Sequence, residues 1–381
     1  MKQEIEDYLL WMMDKGYAHS TWRGYEWTLK HFLNYIGTRK ISFEAAFTSD
    51  ILKAFQKKNG LALKFHAVTG LSRYLFEQKK IPRPIQKQRY PLPQIYEEYL
   101  IDYESSRQVQ PTQILRTRRT LSALNDYLEK RKIDFSRIRI EQLDDFLAKY
   151  AVDFAPVTQQ NIRSCLRGFL RYLWQERKVK RDLASFFVGG PYWSQTKPPK
   201  FLRSQEVQRL FAGLKLCTPK ELRLNAMLRL AYTLGLRPKE ISSIRLDDIS
   251  FRKGEITLRE RKSSNPMKLP LPEDDIKAIA AYIVGARPKS DARTLFLKFR
   301  APYTAILPVV VSQDIGLYMR SINLPSSAYW LRHTYAQNLL EAGASTFEIK
   351  QMLGHDRIQT TKRYIHIHTK LMREVLFNET L

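Results

Sequence analysis

Cysteine is almost missing from this 381-residue chain: Cys165 and Cys217 are the only two. Placed so far apart, they suggest neither a disulfide framework nor a cysteine-based zinc site, and their scarcity fits a reducing compartment. Long apolar runs are missing too. No stretch approaches the roughly 18 residues of a membrane span, and the N-terminus, MKQEIEDYLL, has acidic residues where a secretory signal needs a basic and then an apolar run. A soluble, cytoplasmic protein with no membrane partner is expected. There is no Walker A loop, and His366 and His368 are badly spaced for one ligand set, so neither a nucleotide cofactor nor a metal is indicated. Negative charge is scarce: 38 Asp and Glu face 64 Lys and Arg, a net charge of +26. The excess is not a tail, because residues 1–200 carry 35 basic against 21 acidic groups and the remainder 29 against 17. Such a balance favours a polyanionic partner, nucleic acid first, through phosphate neutralisation and counterion release. Charge alone leaves open a solvated basic surface of another kind.

An internal repeat organises the first half. TLKHFLNYIGTRKISF from Thr28 returns 92 residues later as TLSALNDYLEKRKIDF from Thr120, and GLSRYLFEQKKI from Gly70 returns 98 residues later as GFLRYLWQERKV from Gly168. Apolar residues in each copy recur at helical spacing, as in Leu121, Leu124, Leu128 and in Leu166, Phe169, Leu170, Leu173, which predicts two small helical bundles in tandem. The stretch 81–93 (IPRPIQKQRYPLP) carries four prolines among basic residues and reads as a linker; 189–200 (GGPYWSQTKPPK) reads as a second. The expected divisions are 1–88, 92–190 and 200–381. Aromatic residues interleaved with basic ones, as in TWRGYEWTLKHF from Thr21, are read mainly as core. In the third segment Ser204 is placed as the cap of a helix running through Val207, Leu210, Phe211 and Leu214. Around 249–251, 255–260 and 267–271, β-formers separated by turn residues predict a small antiparallel sheet. The fold class is therefore mainly α: two tandem helical modules, then a mixed, mostly α domain with that sheet.

Four short stretches of this last segment carry chemistry: TLGLRPKEI (233–241), RERKSS (259–264), YWLRHTYA (329–336) and LGHDRIQTTKRY (353–364). They supply arginine, lysine, arginine with histidine, then histidine and tyrosine. Phosphodiester exchange needs a nucleophile, donors for charge developing on the non-bridging oxygens, and an acid for the leaving oxygen. Arg237, between Gly235-Leu236 and Pro238, is expected at a helix turn with its fork free for two phosphate oxygens, and Glu240 three residues on is placed to orient it. Arg332 adds a second permanently charged donor. His333, adjacent on the same helix, points elsewhere and is read as support.

This order and spacing resemble the tyrosine recombinase (phage integrase) family. The resemblance covers about residue 199 to the C-terminus by motif, and the modules before it only by architecture. It implies Tyr364 as nucleophile, Arg237 and Arg332 as the phosphate clamp, His355 as a further donor, and Lys262 on the sheet's second turn as the mobile general acid, with Lys268 left as a strand residue. Tyr329 stands where the family usually has a histidine. The resemblance further implies double-stranded DNA with specific recombination sites as partner, two helical modules of the core-binding and arm-binding kind holding the duplex, and a 3′-phosphotyrosyl intermediate needing no cofactor. It also implies a homo-tetramer joined through the C-terminal tail, where Leu371, Val375 and Leu376 form an apolar stripe, and it admits helper recombinases. The reading is a site-specific recombinase, the integrase of a mobile element. A type IB topoisomerase or hairpin telomere resolvase shares the residue set, and a DNA-binding regulator with a decayed site is the rival from another class.

Overall fold

The structure, a computed structural model, describes residues 1–43, 45–59, 66–82, 90–107, 109–187, 200–259, 267–324 and 327–354. The chain divides into two compact units, one taking Met1–Pro84 and Lys197–Leu381, the other Ile85–Thr196. None of the described helices is long and apolar enough to cross a membrane.

In the first copy of the repeat, α1 (Lys2–Asp14), α2 (His19–Thr38), α3 (Ser49–Asn59) and α4 (His66–Glu77) enclose a core of Tyr8, Met12, Leu29, Phe32, Phe55 and Leu71. The second copy has α5 (Gln94–Arg107), α6 (Pro111–Lys130), α7 (Ile140–Tyr150) and α8 (Pro156–Gln175), closed by the single turn α9 (Leu183–Phe186). Its core is built on Leu121, Leu124, Leu166, Phe169 and Leu173, at the helical spacing read from the sequence, together with Tyr96.

The two copies agree in detail. α2 and α6 end in the same turn: Lys40 and Lys132 take left-handed φ of 52° and 56°, and Ile41 and Ile133 donate their N–H groups back to Ile36 and Leu128. That six-to-one bond is the Schellman closure, usually made with glycine in the left-handed position. Arg39 and Arg131 then lie over the rings of Tyr35 and Tyr127 at 4.2 and 4.1 Å. α4 and α8 close alike, with Lys79 and Arg177 at φ 57° and 55° and the N–H groups of Lys80 and Lys178 returned to Leu75 and Leu173. Trp27 departs from the core reading of the aromatics, being half exposed with its ring 4.3 Å from that of His31. Helix periodicity places it beside the buried stripe rather than within it.

In the third segment α10 (Ser204–Ala212), α11 (Pro219–Thr233) and α12 (Pro238–Ser243) precede the sheet, and α13 (Glu273–Gly285), α14 (Pro308–Ser321), α15 (Ala328–Glu341) and α16 (Thr346–Leu353) follow it. Ser204 is the first helical residue and not the cap; the N–H of Arg203 is instead satisfied by the Glu206 carboxylate at 2.8 Å, and the helix stops before Leu214. α11 starts on a reciprocal cap between Thr218 and Glu221 and is buried on most of its surface by α13, α14 and α15. The sheet is β1 (Ile249–Ser250), β2 (Glu255–Leu258) and β3 (Met267–Pro270), antiparallel in that order, each strand starting where expected and ending one or two residues earlier. Ile256 pairs with Leu269 and Leu258 with Met267, which turns Ile256, Leu258 and Leu269 into the core and leaves Lys268 exposed.

Gly70 and Gly168 test the repeat energetically. A Cβ on Gly70 would run into the Tyr8 hydroxyl, and one on Gly168 would lie 2.7 Å from that of Tyr99. Gly70→Ala is therefore expected to destabilise the first module by roughly 1–3 kcal/mol through overpacking, and Tyr8→Phe, which removes the obstructing oxygen, to reduce that cost. Urea unfolding of the single and double variants checks this. An equal cost of Gly70→Ala in both backgrounds rejects the contact as its cause.

Candidate functional site

α12 and α15 each bring one arginine to the same place. Arg237 is the N-cap of α12, with φ −74° and ψ 151°. Its N–H donates to Oε2 of Glu240 at 2.7 Å, and its Nη1 donates to Oε1 of the same carboxylate at 2.8 Å. The spacing of three residues is what a first-turn acid needs to reach the cap. Pro238 at the first helical position forfeits only an N–H that has no intrahelical acceptor.

Arg332 comes from the second turn of α15, 95 positions later in the chain, and is 4% exposed. Nη1 donates to the Gly235 carbonyl at 2.6 Å and lies 3.9 Å from Oε2 of Glu240, while Nη2 donates to the Leu353 carbonyl at 2.5 Å. Arg237 reaches the same helix end, Nη1 to the Leu353 carbonyl at 3.5 Å and Nη2 to the Gly354 carbonyl at 3.3 Å. The last carbonyls of a helix have no intrahelical donor and carry the negative end of its dipole. Two guanidiniums are thus held together by one buried carboxylate and the C-terminus of α16.

α16 is itself well fixed. Ser345 and Glu348 make a reciprocal cap at its start, and Gly354 ends it in the left-handed conformation, φ 61°. The fork of Arg237 is therefore not free as expected: its Nη groups are engaged, tightly with Glu240 and weakly with the two carbonyls. Bonds at 3.3 and 3.5 Å are long for N–H···O, so an arriving anion can replace them while the Glu240 pair persists. Arg237, with its side chain 23% exposed, is the solvent-facing half of the pair.

Tyr329 lies three residues before Arg332, hence on the same helix face, and is 52% exposed. Ser327 caps that helix by accepting the Tyr329 N–H at 3.3 Å. His333 is half-buried on α15. Lys262, His355 and Tyr364 lie outside the described residues, as do Leu371, Val375 and Leu376. What the structure brings together from the sequence reading is Arg237, Glu240 and Arg332, with Tyr329 three residues before Arg332 on α15. The sequence reading missed the carbonyls of Gly235, Leu353 and Gly354. Backbone acceptors leave no residue-type signal, and only the helix-ending Leu-Gly pair hinted at the last two.

Residues 200–370 match the sequence model of the phage integrase family. The chain is 36% identical over 163 residues to the putative integrase/recombinase y4gC of Sinorhizobium fredii, covering 42% of this chain and 83% of that protein. It is 33% identical over 217 residues to y4rF of the same organism, covering 56% of this chain but about half, 51%, of that longer relative. Among solved structures, the XerH site-specific recombinase bound to palindromic difH substrate superposes with a TM-score of 0.61 at 16% identity, over 81% of this chain and 94% of that one. That last likeness is one of fold.

The arrangement makes Glu240 the counter-charge of the arginine pair. Glu240→Gln keeps the shape but leaves buried positive charge uncompensated, a change that typically costs about 3 kcal/mol. Its melting temperature is expected to fall well below wild type in chloride buffer and to recover in part in sulfate buffer, where an anion can enter between the guanidiniums. General stabilisation by sulfate acts on both proteins alike, so a gap of the same size in both buffers overturns the counter-charge role.

Proposed function

Since the chain belongs to the phage integrase family of tyrosine recombinases, we propose that it cuts and rejoins double-stranded DNA at specific sites as the integrase of a mobile element. The observation that carries this is the convergence of Arg237 and Arg332 on one carboxylate and one helix end, with His355 as the next residue after that end.

In this reading the scissile phosphate lies against Arg237 and Arg332, whose charge attracts it and stabilises the transition state. The Tyr364 oxygen attacks phosphorus and the bond to the 5′ oxygen breaks, leaving a 3′-phosphotyrosyl ester. A free phenol, with a pKa of about 10, is a weak nucleophile near neutrality, and the cationic site favours its phenolate form. Lys262 passes a proton to the departing 5′ oxygen, and His355 donates to a non-bridging oxygen. Tyr329 supplies a further hydrogen bond from the Arg332 face. The ester retains the energy of the broken bond, so an incoming 5′ hydroxyl reverses the step without ATP or a metal. Residues 200–381 act as the catalytic domain, 92–190 as the core-binding module and 1–88 as an additional duplex-binding module. Four copies, joined through their C-terminal tails, exchange strands between two DNA sites.

A nicked suicide duplex built from the DNA flanking the gene traps the intermediate. Wild type is expected to form a covalent adduct and Tyr364→Phe none; an adduct that persists in Tyr364→Phe removes this tyrosine as nucleophile. Two differently marked duplexes in one reaction then separate strand exchange from the relaxation a topoisomerase performs.

A chain starting near Pro91 is expected to protect the core of the site but less of its flank. An unchanged footprint would assign residues 1–88 to protein contacts instead.

A further inference from the structure

Asp275 is a buried acid that the chemistry above does not use. It lies in the first turn of α13, is fully buried, and sits where α13 packs on α11. Its Oδ2 accepts the hydroxyl of Thr233, the last residue of α11. Its Oδ1 has no hydrogen-bond partner and lies 4.0 Å from Nη1 of Arg229, one turn earlier on α11. That guanidinium donates instead to Asp274 at 3.2 Å. Burying a carboxylate is unfavourable unless it is fully paired, and here the pairing is incomplete. The core alone does not call for an acid at this place, and the group that it holds is Thr233.

The turn that serves the arginine pair begins at that threonine. Leu234, Gly235 and Leu236 separate it from Arg237. Gly235 takes φ of 60°, and a Cβ added there would run into the ring of Tyr335. Its carbonyl accepts Nη1 of Arg332. The turn is thus held at three points: the Thr233 hydroxyl at its entry, the Gly235 carbonyl in its middle, and the Arg237 N–H on Glu240 at its exit. At the entry two acceptors compete, because Oγ1 of Thr233 also lies 2.8 Å from the carbonyl of Arg229. A hydroxyl has a single hydrogen to give. With Asp275 present it can tie the end of α11 to α13; without that acceptor it bonds only within its own helix.

We propose that Asp275 is a positioning residue for the phosphate clamp: by holding the Thr233 hydroxyl it fixes the end of α11, and so sets where the Gly235 carbonyl places Arg332 and where the chain delivers Arg237. The inference rests on the reading of Arg237 and Arg332 as the groups that hold the scissile phosphate. Asp275, buried beneath the turn, touches neither DNA nor the reacting atoms. Its effect is on the aim of two guanidiniums whose work depends on geometry.

The test compares the full chain with Arg237→Ala, Asp275→Leu, Asp275→Asn, Thr233→Val and Thr233→Ser on two suicide duplexes, one with the ordinary scissile phosphate and one with a methylphosphonate there. The methyl group replaces a charged non-bridging oxygen, so the charge that the arginines neutralise is gone and a defect in placing them shrinks. Asp275→Leu is expected to slow cleavage of the ordinary duplex by up to about 10²-fold, the scale of a misplaced catalytic group. On the methylphosphonate its rate should approach that of wild type, as for Arg237→Ala. Its melting temperature should not fall, since an apolar side chain can replace a poorly paired buried charge without loss. Thr233→Val breaks the same link from the other side and should behave alike on both duplexes, which keeps the comparison open should Asp275→Leu lose its melting transition. Asp275→Asn, which keeps an acceptor, and Thr233→Ser, which keeps the hydroxyl, should retain most of the rate. If Arg237→Ala is relieved by the methylphosphonate while the folded Asp275→Leu or Thr233→Val is equally slow on both duplexes, Asp275 serves the fold alone and the inference fails, with the clamp intact. A wild-type rate for either folded variant on the ordinary duplex also overturns it. If Arg237→Ala is not relieved, the clamp reading itself is wrong, and a positioning role for it falls as well.

Discussion

Two positive charges are held side by side inside this protein, and the third segment depends on how that is made tolerable. Guanidiniums repel, and a low-dielectric surrounding strengthens the repulsion. Glu240, 4% exposed, answers with one carboxylate shared between Arg237 and Arg332, and the C-terminal carbonyls of α16 add the negative end of a helix dipole. Each acceptor constrains an element. Glu240 fixes α12 to its own N-cap, the Gly235 carbonyl fixes the turn after α11 to α15, and the Leu353 carbonyl fixes α16 to both arginines. The hydrophobic core beneath, with α11 surrounded by α13, α14 and α15, holds these elements in place so that the polar network closes.

The tandem modules show which features of a sequence resist divergence. Helix-closing turns with lysine or arginine in the left-handed conformation, a strained choice for a residue with a Cβ, are repeated at matching positions in both copies. Their retained hydrogen bonds and the Arg–Tyr stacking offset that strain. The solvent faces have moved apart: Trp27 and His31 occupy the positions of Arg119 and Ala123 in the 92-residue register. Packing thus preserves the scaffold while the exposed chemistry differs between the copies.

Much of this was legible in the sequence, and the failures have physical causes. The helical modules, their core positions and the location of the sheet follow from periodicity and turn residues, which report local geometry directly. The Arg237–Glu240 pair was legible because its spacing is that of a cap and its third helical residue. Strand ends and the cap before α10 were misplaced by a residue or two, since Arg203 lacks a capping oxygen and Glu206 does that work from inside the helix. The exposure of Trp27 was missed because an aromatic at the margin of an apolar stripe satisfies the same periodicity as a buried one. The acceptors on Gly235, Leu353 and Gly354 were invisible in principle, being backbone oxygens whose proximity depends on the tertiary fold. So was the tie between Asp248 and Arg259, which no periodic rule pairs.

The contrast between Arg332 and Tyr329 bears on the proposal that a tyrosine here takes the place of the histidine that the family resemblance leads one to expect. Arg332 is buried and its Nη groups are already bonded to carbonyls, so in the proposed role it would need little reorganisation to meet a phosphate. Tyr329, one helical turn earlier on the same face and half exposed, is placed by the helix and the Ser327 cap. A position of that kind asks for a side chain that can extend a donor toward an anion beside Arg332. Neutral imidazole and phenol both have one. A general base must instead be deprotonated before it can accept a proton, whereas a donor role asks only for the N–H or O–H that both side chains carry. Under the proposed function, the exchange is compatible with a donor role at this position. The demanding work of holding charge stays with the groups that Glu240 and α16 have already fixed.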